Sequence, residues 1–313
     1  MSEPGSVDIA TRILGERAQL NAPLGALTTY RVGGNATVMV HPRQESDLEL
    51  VAKASGASGL AVVVVGNGSN LLVSDAGFDG IAVMMGAGFD EIDIDGTTVH
   101  AGGAVSLPVL ARRTVAAGLC GFEWAVGVPG TVGGAVRMNA GGHGAAMANT
   151  LLSARIVDLH GNRSGDIPFG ELGLQYRSSN VTSSQVVVKA TLALAAGDAM
   201  YSQERLSEIV RWRREHQPGG QNAGSCFANP EGDYAGRLIE VGGLKGLRIG
   251  SACVHDKHAN FIQADEGGKA QDVFELMRKV QELVRQQTGV SLRSEVRLLG
   301  NFAEPDSTAD APQ

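Results

Sequence analysis

The glycines of this chain fall in clusters, not at a fixed period, and that pattern limits the folds open to it. There are 43 among 313 residues, about twice the usual share. A collagen-like repeat is excluded, and clustered glycines predict loops that approach something closely or adopt positive φ. One cluster, Gly66-Asn67-Gly68-Ser69-Asn70-Leu71-Leu72, follows the β-branched run Ala61–Val65. A second fills residues 121–144, which show little periodicity, and a loop that long inside a compact domain usually has a function.

The rest of the composition is ordinary and globular, with 43% apolar and 19% charged residues. The length suggests two or three units with ample core. A net charge of -7 argues against nucleic-acid binding by bulk electrostatics, though a local basic pocket stays open. No apolar run is long enough to span a membrane, and the start Met1-Ser2-Glu3-Pro4 lacks signal-peptide character. Cys120, Cys226 and Cys253 show no C-x-x-C spacing, so neither a disulfide framework nor a zinc site is expected. A reducing cytoplasm is the plain expectation.

Strands and helices alternate, predicting an α/β or α+β fold. Residues 1–20 read as a helix with Ile9, Ile13 and Leu14 on one face. Thr28–Val40 reads as a strand interrupted at Gly33-Gly34, and Ser46-Asp47-Leu48-Glu49 as a capping box opening a helix that runs to Gly56. Ala61–Val65, Val99–Ala101, Ala154–Leu159, Val186–Leu194 and Ser291–Leu299 are expected strands. Helices are expected from Ser106 through Ala117, over Ser202–Glu215 and over Gln271–Gln287, the last closed by Gly289. Composition shifts at Ala196-Gly197-Asp198, which places a domain boundary near 197.

Both glycine clusters can carry chemistry. Successive N–H groups in Gly66–Asn70 can form an anion nest, but the turn lacks the third glycine and following helix of a dinucleotide fingerprint, and taken alone it more often reads as a structural turn. Gly127-Val128-Pro129-Gly130-Thr131-Val132-Gly133-Gly134 through Asn139-Ala140-Gly141-Gly142 lacks bulk, so its backbone can lie against a large planar or diphosphate ligand. Two such loops far apart in sequence imply one extended ligand. Arg177 could fork onto a carboxylate or phosphate, or simply make a surface salt bridge. Ser225 sits in a small-residue loop with no acid–base partner nearby in sequence, and Glu295 alone reads as an exposed strand charge. Arg213, Arg214 and His216 suit the dipole at a helix C-terminus. His255 and His258 lack a third ligand, so no metal site is expected.

Taken in order, these segments carry a resemblance. Thr28-Thr29-Tyr30-Arg31-Val32-Gly33-Gly34, Gly66–Leu72, Gly127–Gly142, Tyr176-Arg177-Ser178-Ser179, Gly224-Ser225-Cys226-Phe227-Ala228-Asn229-Pro230, Ala235–Glu240 and Lys257-His258-Ala259-Asn260-Phe261-Ile262 together resemble the UDP-N-acetylenolpyruvoylglucosamine reductases, also called UDP-N-acetylmuramate dehydrogenases. The resemblance implies an α+β flavoprotein. Its FAD domain would be of the vanillyl-alcohol oxidase and p-cresol methylhydroxylase type, in two α+β subdomains over 1–197 with a core of about 28–196. An α+β substrate domain would follow over 198–302, then a disordered tail over 303–313.

The resemblance also implies the reaction. NADPH reduces non-covalently bound FAD, and the flavin N5 delivers hydride to C3 of UDP-N-acetylglucosamine enolpyruvate while C2 gains a proton. The product, UDP-N-acetylmuramate, feeds peptidoglycan synthesis and hence cell-wall biogenesis, cell shape and division. Arg177, Ser225 and Glu295 match the family's catalytic positions: Arg177 stabilises the developing enolate, Glu295 polarises the same group, and Ser225 protonates C2. FAD contacts are expected from Tyr30, Arg31, Gly33, Gly34, Gly66, Asn67, Gly68, Ser69, Asn70, Leu71, Gly127, Pro129, Gly130, Thr131, Gly133, Gly134, Asn139 and Gly141. Substrate contacts are expected from Tyr176, Asn229, Arg213 and Arg214. The protein is expected to be a monomer without nucleic-acid or membrane partners. The short interval between Arg177 and Ser225 implies the branch without an extra substrate-capping segment. Cys226 departs from the family pattern; it reads as a packing residue, or as an oxidation liability if exposed. Two other readings share the fold: a non-catalytic flavin- or UDP-sugar-binding regulator, and a flavin oxidase with its flavin tethered through a residue such as His143.

Overall fold

The structure, a computed structural model, describes residues 5–161 and 163–304. Contacts divide the chain into two units that exchange segments along the sequence: 5–22, 36–67 and 79–215 form the first, and 23–35, 68–78 and 216–304 the second. The elements mix helix and strand, as expected of an α+β chain.

Among the described residues the first unit contains two larger sheets. One has the order β1 (Gln19–Ala22), β2 (Ala36–Val40), β5 (Phe78–Met84) and β3 (Ala61–Val65), with β3 and β5 parallel and Val63 opposite Ala82. Helices α1 (Ser6–Leu14) and α2 (Glu45–Ser58) share its core, where Leu14, Val38, Leu48, Val51 and Ile81 are buried. In α1 the expected face turns inward, with Leu14 buried and Ile13 partly buried against the core beside the buried Ala10, and the helix stops at Leu14 with Gly15 as its cap, short of the expected residue 20.

The expected capping box at Ser46 does not form. The helix starts one residue earlier, and the buried Asp47 accepts from the Arg43 N–H at 2.8 Å and Arg17 Nε at 2.7 Å. Burial pushes this carboxyl up, but those two bonds and the Arg17 charge outweigh it and hold it below its ordinary value. The helix runs past Gly56 to Ser58, where Gly59 takes a left-handed φ of 72° and closes it.

The other sheet of this unit is antiparallel: β12 (Arg163–Pro168), β11 (Leu151–Asp158), β13 (Gln185–Ala193), β7 (Thr98–Gly102) and β6 (Ile92–Asp95). Helix α3 (Leu107–Ala116) begins after Ser106 with Pro108 in its first turn, as predicted. The stretch expected to be one long loop over 121–144 is partly ordered. It forms helix α4 (Val132–Met138), capped by the Thr131 side chain, and the hairpin of β9 (Gly141–Gly142) and β10 (Ala145–Ala146). Its glycines mask a helix too short to show a period. The pair β8 (Leu119–Cys120) and β14 (Ala195–Ala196) leads to α5 (Ala199–His216). By contacts almost all of α5 belongs to the first unit, so that unit continues beyond the boundary expected near 197.

The second unit packs α6 (Ala235–Val241) and α7 (Ala270–Thr288) with a sheet of β15 (Arg248–Ile249), β16 (Ala252–Val254) and β17 (Ile262–Ala264). Strand β4 (Leu71–Val73) pairs in parallel with β18 (Arg297–Leu299). The α7 prediction holds, including its apolar face and the left-handed Gly289. Its free N–H groups at Ala270 and Gln271 donate to Asp75 at 2.9 and 3.0 Å.

Two expected strands shorten. Thr28–Asn35 forms no ladder, because its groups bond to the 68–77 segment: Thr29 N–H to Gly68 O and Gly34 N–H to Ser74 O. Gly33, at φ 102°, lies so close to that segment that a Cβ would sit 2.1 Å from Val73 O. At the C-terminus only Arg297–Leu299 is strand, because residues 293–295 bond to the Ser225 loop and to Asn70. Of the expected tail, Ala303 exchanges hydrogen bonds with the Gln271 side chain at 2.8 and 3.2 Å, and 305–313 lie outside the described residues.

Candidate functional site

In the first unit the two glycine clusters meet. Strand β3 delivers Gly66 to a cleft lined also by Gly103, Thr131, Gly133, Gly134 and Arg137. A Cβ on Gly66 would lie 2.5 Å from Thr131 Oγ1, and one on Gly133 would lie 3.1 Å from the carbonyls of Gly103 and Val187. The loop is fixed by its backbone: Leu107 N–H donates to Gly130 O, Val132 N–H to Val105 O and Gly133 N–H to Gly103 O, at 2.8 to 2.9 Å. Thr131 is buried, and its Oγ1 accepts the Gly134 N–H at 3.3 Å. A cradle that added methyl groups would fill, beside a short helix start, fits an elongated cofactor such as FAD.

Other expected cofactor residues have different neighbours. Gly127 faces α5: its Cβ position is 3.1 Å from Ile209, 3.3 Å from Arg213 Cδ and 3.4 Å from His143 Nε2. Pro129 is exposed. Asn139 is the left-handed cap of α4, and both ends of its carboxamide are engaged internally, donating to Gln175 O and accepting from Ala148 N–H. Its side chain is thus a tie between loops. Gly141 is held in the β9–β10 hairpin, where a Cβ would meet Ala145 O at 2.5 Å.

Arg177 lies on this same structure. Its φ is 57°, its guanidinium donates to Gly141 O at 3.0 Å, and it stands 5.5 Å from the ring of the exposed Tyr176. Ser179 Oγ donates to Arg137 O at 2.7 Å, and Gln175 and Ser178 exchange backbone bonds, so the Arg177 turn is tied to the glycine loop. A cation is therefore held beside the cleft's own loop.

Arg213 and Arg214 separate. Neighbours on a helix do not share a face. Arg213 approaches Gly127 and His143, whereas Arg214 lines an open groove with Arg112 and Arg211. Burial pulls Arg213 below the ordinary guanidinium value. His143 stacks edge-on against Trp212 at 5.1 Å, and burial, then Arg205 and Arg213, favours its neutral form.

The second unit carries the other expected residues. The Gly66–Leu71 motif divides between units after Asn67. Gly68, at φ 59°, packs on Thr28, and Ser69 is half-buried. Asn70 Nδ2 donates to Glu295 O at 3.0 Å, while Asn70 O accepts Arg297 N–H at 3.0 Å. Glu295 N–H donates to Cys226 O at 2.8 Å, beside Ser225. Asn70, the Ser225 loop and Glu295 thus share one run of hydrogen bonds. Ser225 and Glu295 are both half-buried, and Glu295 precedes the final strand instead of sitting on it as an exposed charge. Arg177 lies in the first unit, and Ser225 and Glu295 in the second.

Several of these residues have partners inside the second unit. Tyr30 has no exposed surface; its side chain packs in the second unit's core with its hydroxyl 3.6 Å from Cys226 Sγ, so the phenol presents no face to a cofactor. Arg31, exposed with φ 54°, remains at the turn surface. Asn229 Oδ1 accepts the Ala235 N–H at the start of α6, which gives this residue a capping role. Cys226 is fully buried, and burial pushes its thiol up to about 11, so the packing role is the observed one. Asn260, in a motif to which the sequence assigned no role, is 3% exposed and makes a two-ended carboxamide bond to Phe227. A polar residue amid apolar neighbours was the only signal for it.

Comparisons with known proteins place both parts of the chain in known families. Residues 36–163 match the FAD binding domain model, and residues 216–299 match the model for the C-terminal domain of UDP-N-acetylenolpyruvoylglucosamine reductase. UDP-N-acetylenolpyruvoylglucosamine reductase 2 of Symbiobacterium thermophilum is 41% identical over 281 residues, 89% of this chain and 91% of that protein. The reductase of Paramagnetospirillum magneticum is 40% identical over 295 residues, 94% of this chain and 95% of the relative. The crystal structure of the Thermus caldophilus reductase superposes with a TM-score of 0.80 at 33% identity, covering 90% of this chain and all of that one. This chain, an FAD-binding domain joined to that C-terminal domain, belongs to the UDP-N-acetylenolpyruvoylglucosamine reductase family.

Proposed function

We propose that this protein uses NADPH to reduce the enolpyruvyl group of UDP-N-acetylglucosamine enolpyruvate to UDP-N-acetylmuramate, a peptidoglycan precursor. The observation that carries the reading is the direct bond from Glu295 N–H to the carbonyl next to Ser225 within the matched C-terminal domain. It gives two of the three expected catalytic residues a common frame.

FAD would be held at the Gly66, Thr131, Gly133 and Gly134 cradle, and when bound it supplies the hydride relay between the nicotinamide and C3 of the enol ether. The chain's own task is to make an electron-rich enol ether accept hydride. The Arg177 guanidinium pairs with the substrate carboxylate and stabilises the enolate that develops there. Glu295 polarises the same carboxylate through a hydrogen bond or shared proton. Ser225 gives its hydroxyl proton to C2; a strongly basic enolate makes that transfer feasible from a weak acid held in place. Tyr176, Asn229 Nδ2, Arg213 and Arg214 are the residues proposed to meet the nucleotide sugar.

In this reading 1–197 binds FAD and 198–302 meets substrate, even though α5 packs with the first unit. The interval between Arg177 and Ser225 is occupied by β13, β14 and α5, which supports the branch without a capping insert. No helix among the described residues is long and apolar enough to cross a membrane. A cytoplasmic monomer serving cell-wall growth, and so cell shape and division, completes the proposal.

Anaerobic spectroscopy tests it. NADPH should bleach the bound flavin, and the enolpyruvyl nucleotide should restore its colour. Ser225→Ala should leave bleaching intact and slow recovery. A flavin that bleaches but never recovers would reject this substrate, and equal loss in both halves would remove Ser225 as proton donor.

A further inference from the structure

The geometry points to Asn260 as a positioning residue for Ser225, a role that rests on the reading of Ser225 as proton donor. Asn260 bonds three times to the two residues that follow the serine. Its backbone carbonyl accepts the Cys226 N–H at 2.8 Å, its Oδ1 accepts the Phe227 N–H at 3.0 Å, and its Nδ2 donates to Phe227 O at 2.8 Å. The side chain thus acts on Phe227 as a neighbouring strand would, offering a donor and an acceptor at once. On the other side, Cys226 O accepts Glu295 N–H and Ala228 N–H donates to Arg293 O. The segment after Ser225 is therefore fixed from both sides, by Asn260 and by the stretch that carries Glu295.

Asn260 is nearly sealed from solvent, so water cannot replace a lost bond without rearrangement. Only a carboxamide of this length supplies both partners. Aspartate keeps the acceptor for Phe227 N–H but turns an acceptor toward Phe227 O. The local consequence is a shift of the 226–227 backbone and with it of the serine hydroxyl. A displacement on the order of 1 Å can cost about a hundredfold in a positioned transfer.

The test is the holoenzyme with Asn260→Asp, compared with Ser225→Ala and with the double variant, each half-reaction followed by stopped-flow flavin absorbance. Asn260→Asp should slow recovery by about ten- to a hundredfold, with bleaching by NADPH unchanged. The double variant should recover no more slowly than Ser225→Ala alone, because the amide acts through the serine. Asn260→Ser, which drops both bonds without adding charge, should behave alike. Multiplicative losses in the double variant, equal slowing of both half-reactions, or unaltered recovery in Asn260→Asp while Ser225→Ala is slow would each overturn the inference. So would failure of both Asn260 variants to fold with flavin, which would make the residue one of stability alone. Unaltered recovery in Ser225→Ala would instead overturn the serine reading beneath it.

Discussion

A methyl group at Gly66 is the sharpest perturbation available to the cofactor cradle. The added Cβ would lie 2.5 Å from Thr131 Oγ1 and 3.3 Å from Thr131 Cγ2, so a separation of about 1 Å more is needed for ordinary contact. The backbone at Gly66 is not left-handed, so alanine meets no local strain and the whole effect falls on Thr131. Thr131 has little freedom, being 4% exposed with its hydroxyl accepting the Gly134 N–H. Overpacking costs about 1–3 kcal/mol. If Thr131 turns away, its cap on α4 is lost for about 1 kcal/mol more. Gly66→Ala should therefore destabilise by about 2–4 kcal/mol. Thr131→Ala removes both offending atoms and should itself cost about 1 kcal/mol for the cap. In the double variant the methyl fits, so its stability should match Thr131→Ala alone and leave a coupling of about 2 kcal/mol or more. Urea unfolding of the four proteins, with retained FAD measured in parallel, checks this. Additive losses, or a Gly66→Ala protein as stable and as flavin-loaded as the parent, would refute the steric argument.

Three further outcomes follow from the thiols and from the second unit. At pH 8 a thiol reagent should label Cys120 and Cys253 in the native protein and reach Cys226 only after unfolding, because burial raises that thiol to about 11; rapid native labelling of all three would contradict it. Asp75→Ala leaves the first N–H groups of α7 without their acceptor and should cost about 0.5–2 kcal/mol by urea unfolding, with Asp75→Asn recovering part of it. His258 is held below its ordinary value by burial, and its Nδ1 accepts the Asn260 N–H at 3.2 Å. The folded state therefore binds fewer protons than the unfolded one, and stability should fall as pH drops through about 6.5 toward the lower folded value. A His258→Gln protein should lose part of that pH dependence, and an identical slope in both proteins would remove His258 as a source.

What the sequence made legible divides along physical lines. Helix α7 was readable because one face is buried along its full length, and the period survives burial. The meeting of Gly66 with the 130–134 loop was readable because two distant stretches without bulk can serve one extended ligand. Errors came where backbone groups found partners other than a ladder. Thr28–Asn35 has strand-like alternation, yet its N–H groups go to Gly68 and Ser74, and no local pattern announces a partner forty residues away. The same holds for 293–295, whose pairing with the Ser225 loop and Asn70 replaces most of an expected strand. Those substitutions are what give the candidate site its frame. A regular strand through Glu295 would offer its N–H to the sheet; here that N–H is engaged beside Ser225, and its carbonyl is engaged by Asn70. The residue types can be read locally, while the frame around them depends on hydrogen bonds that cross the sequence. Tyr30 shows the same limit from the other direction: it lies in a matched motif, yet its ring serves the core beneath the serine loop through Cys226.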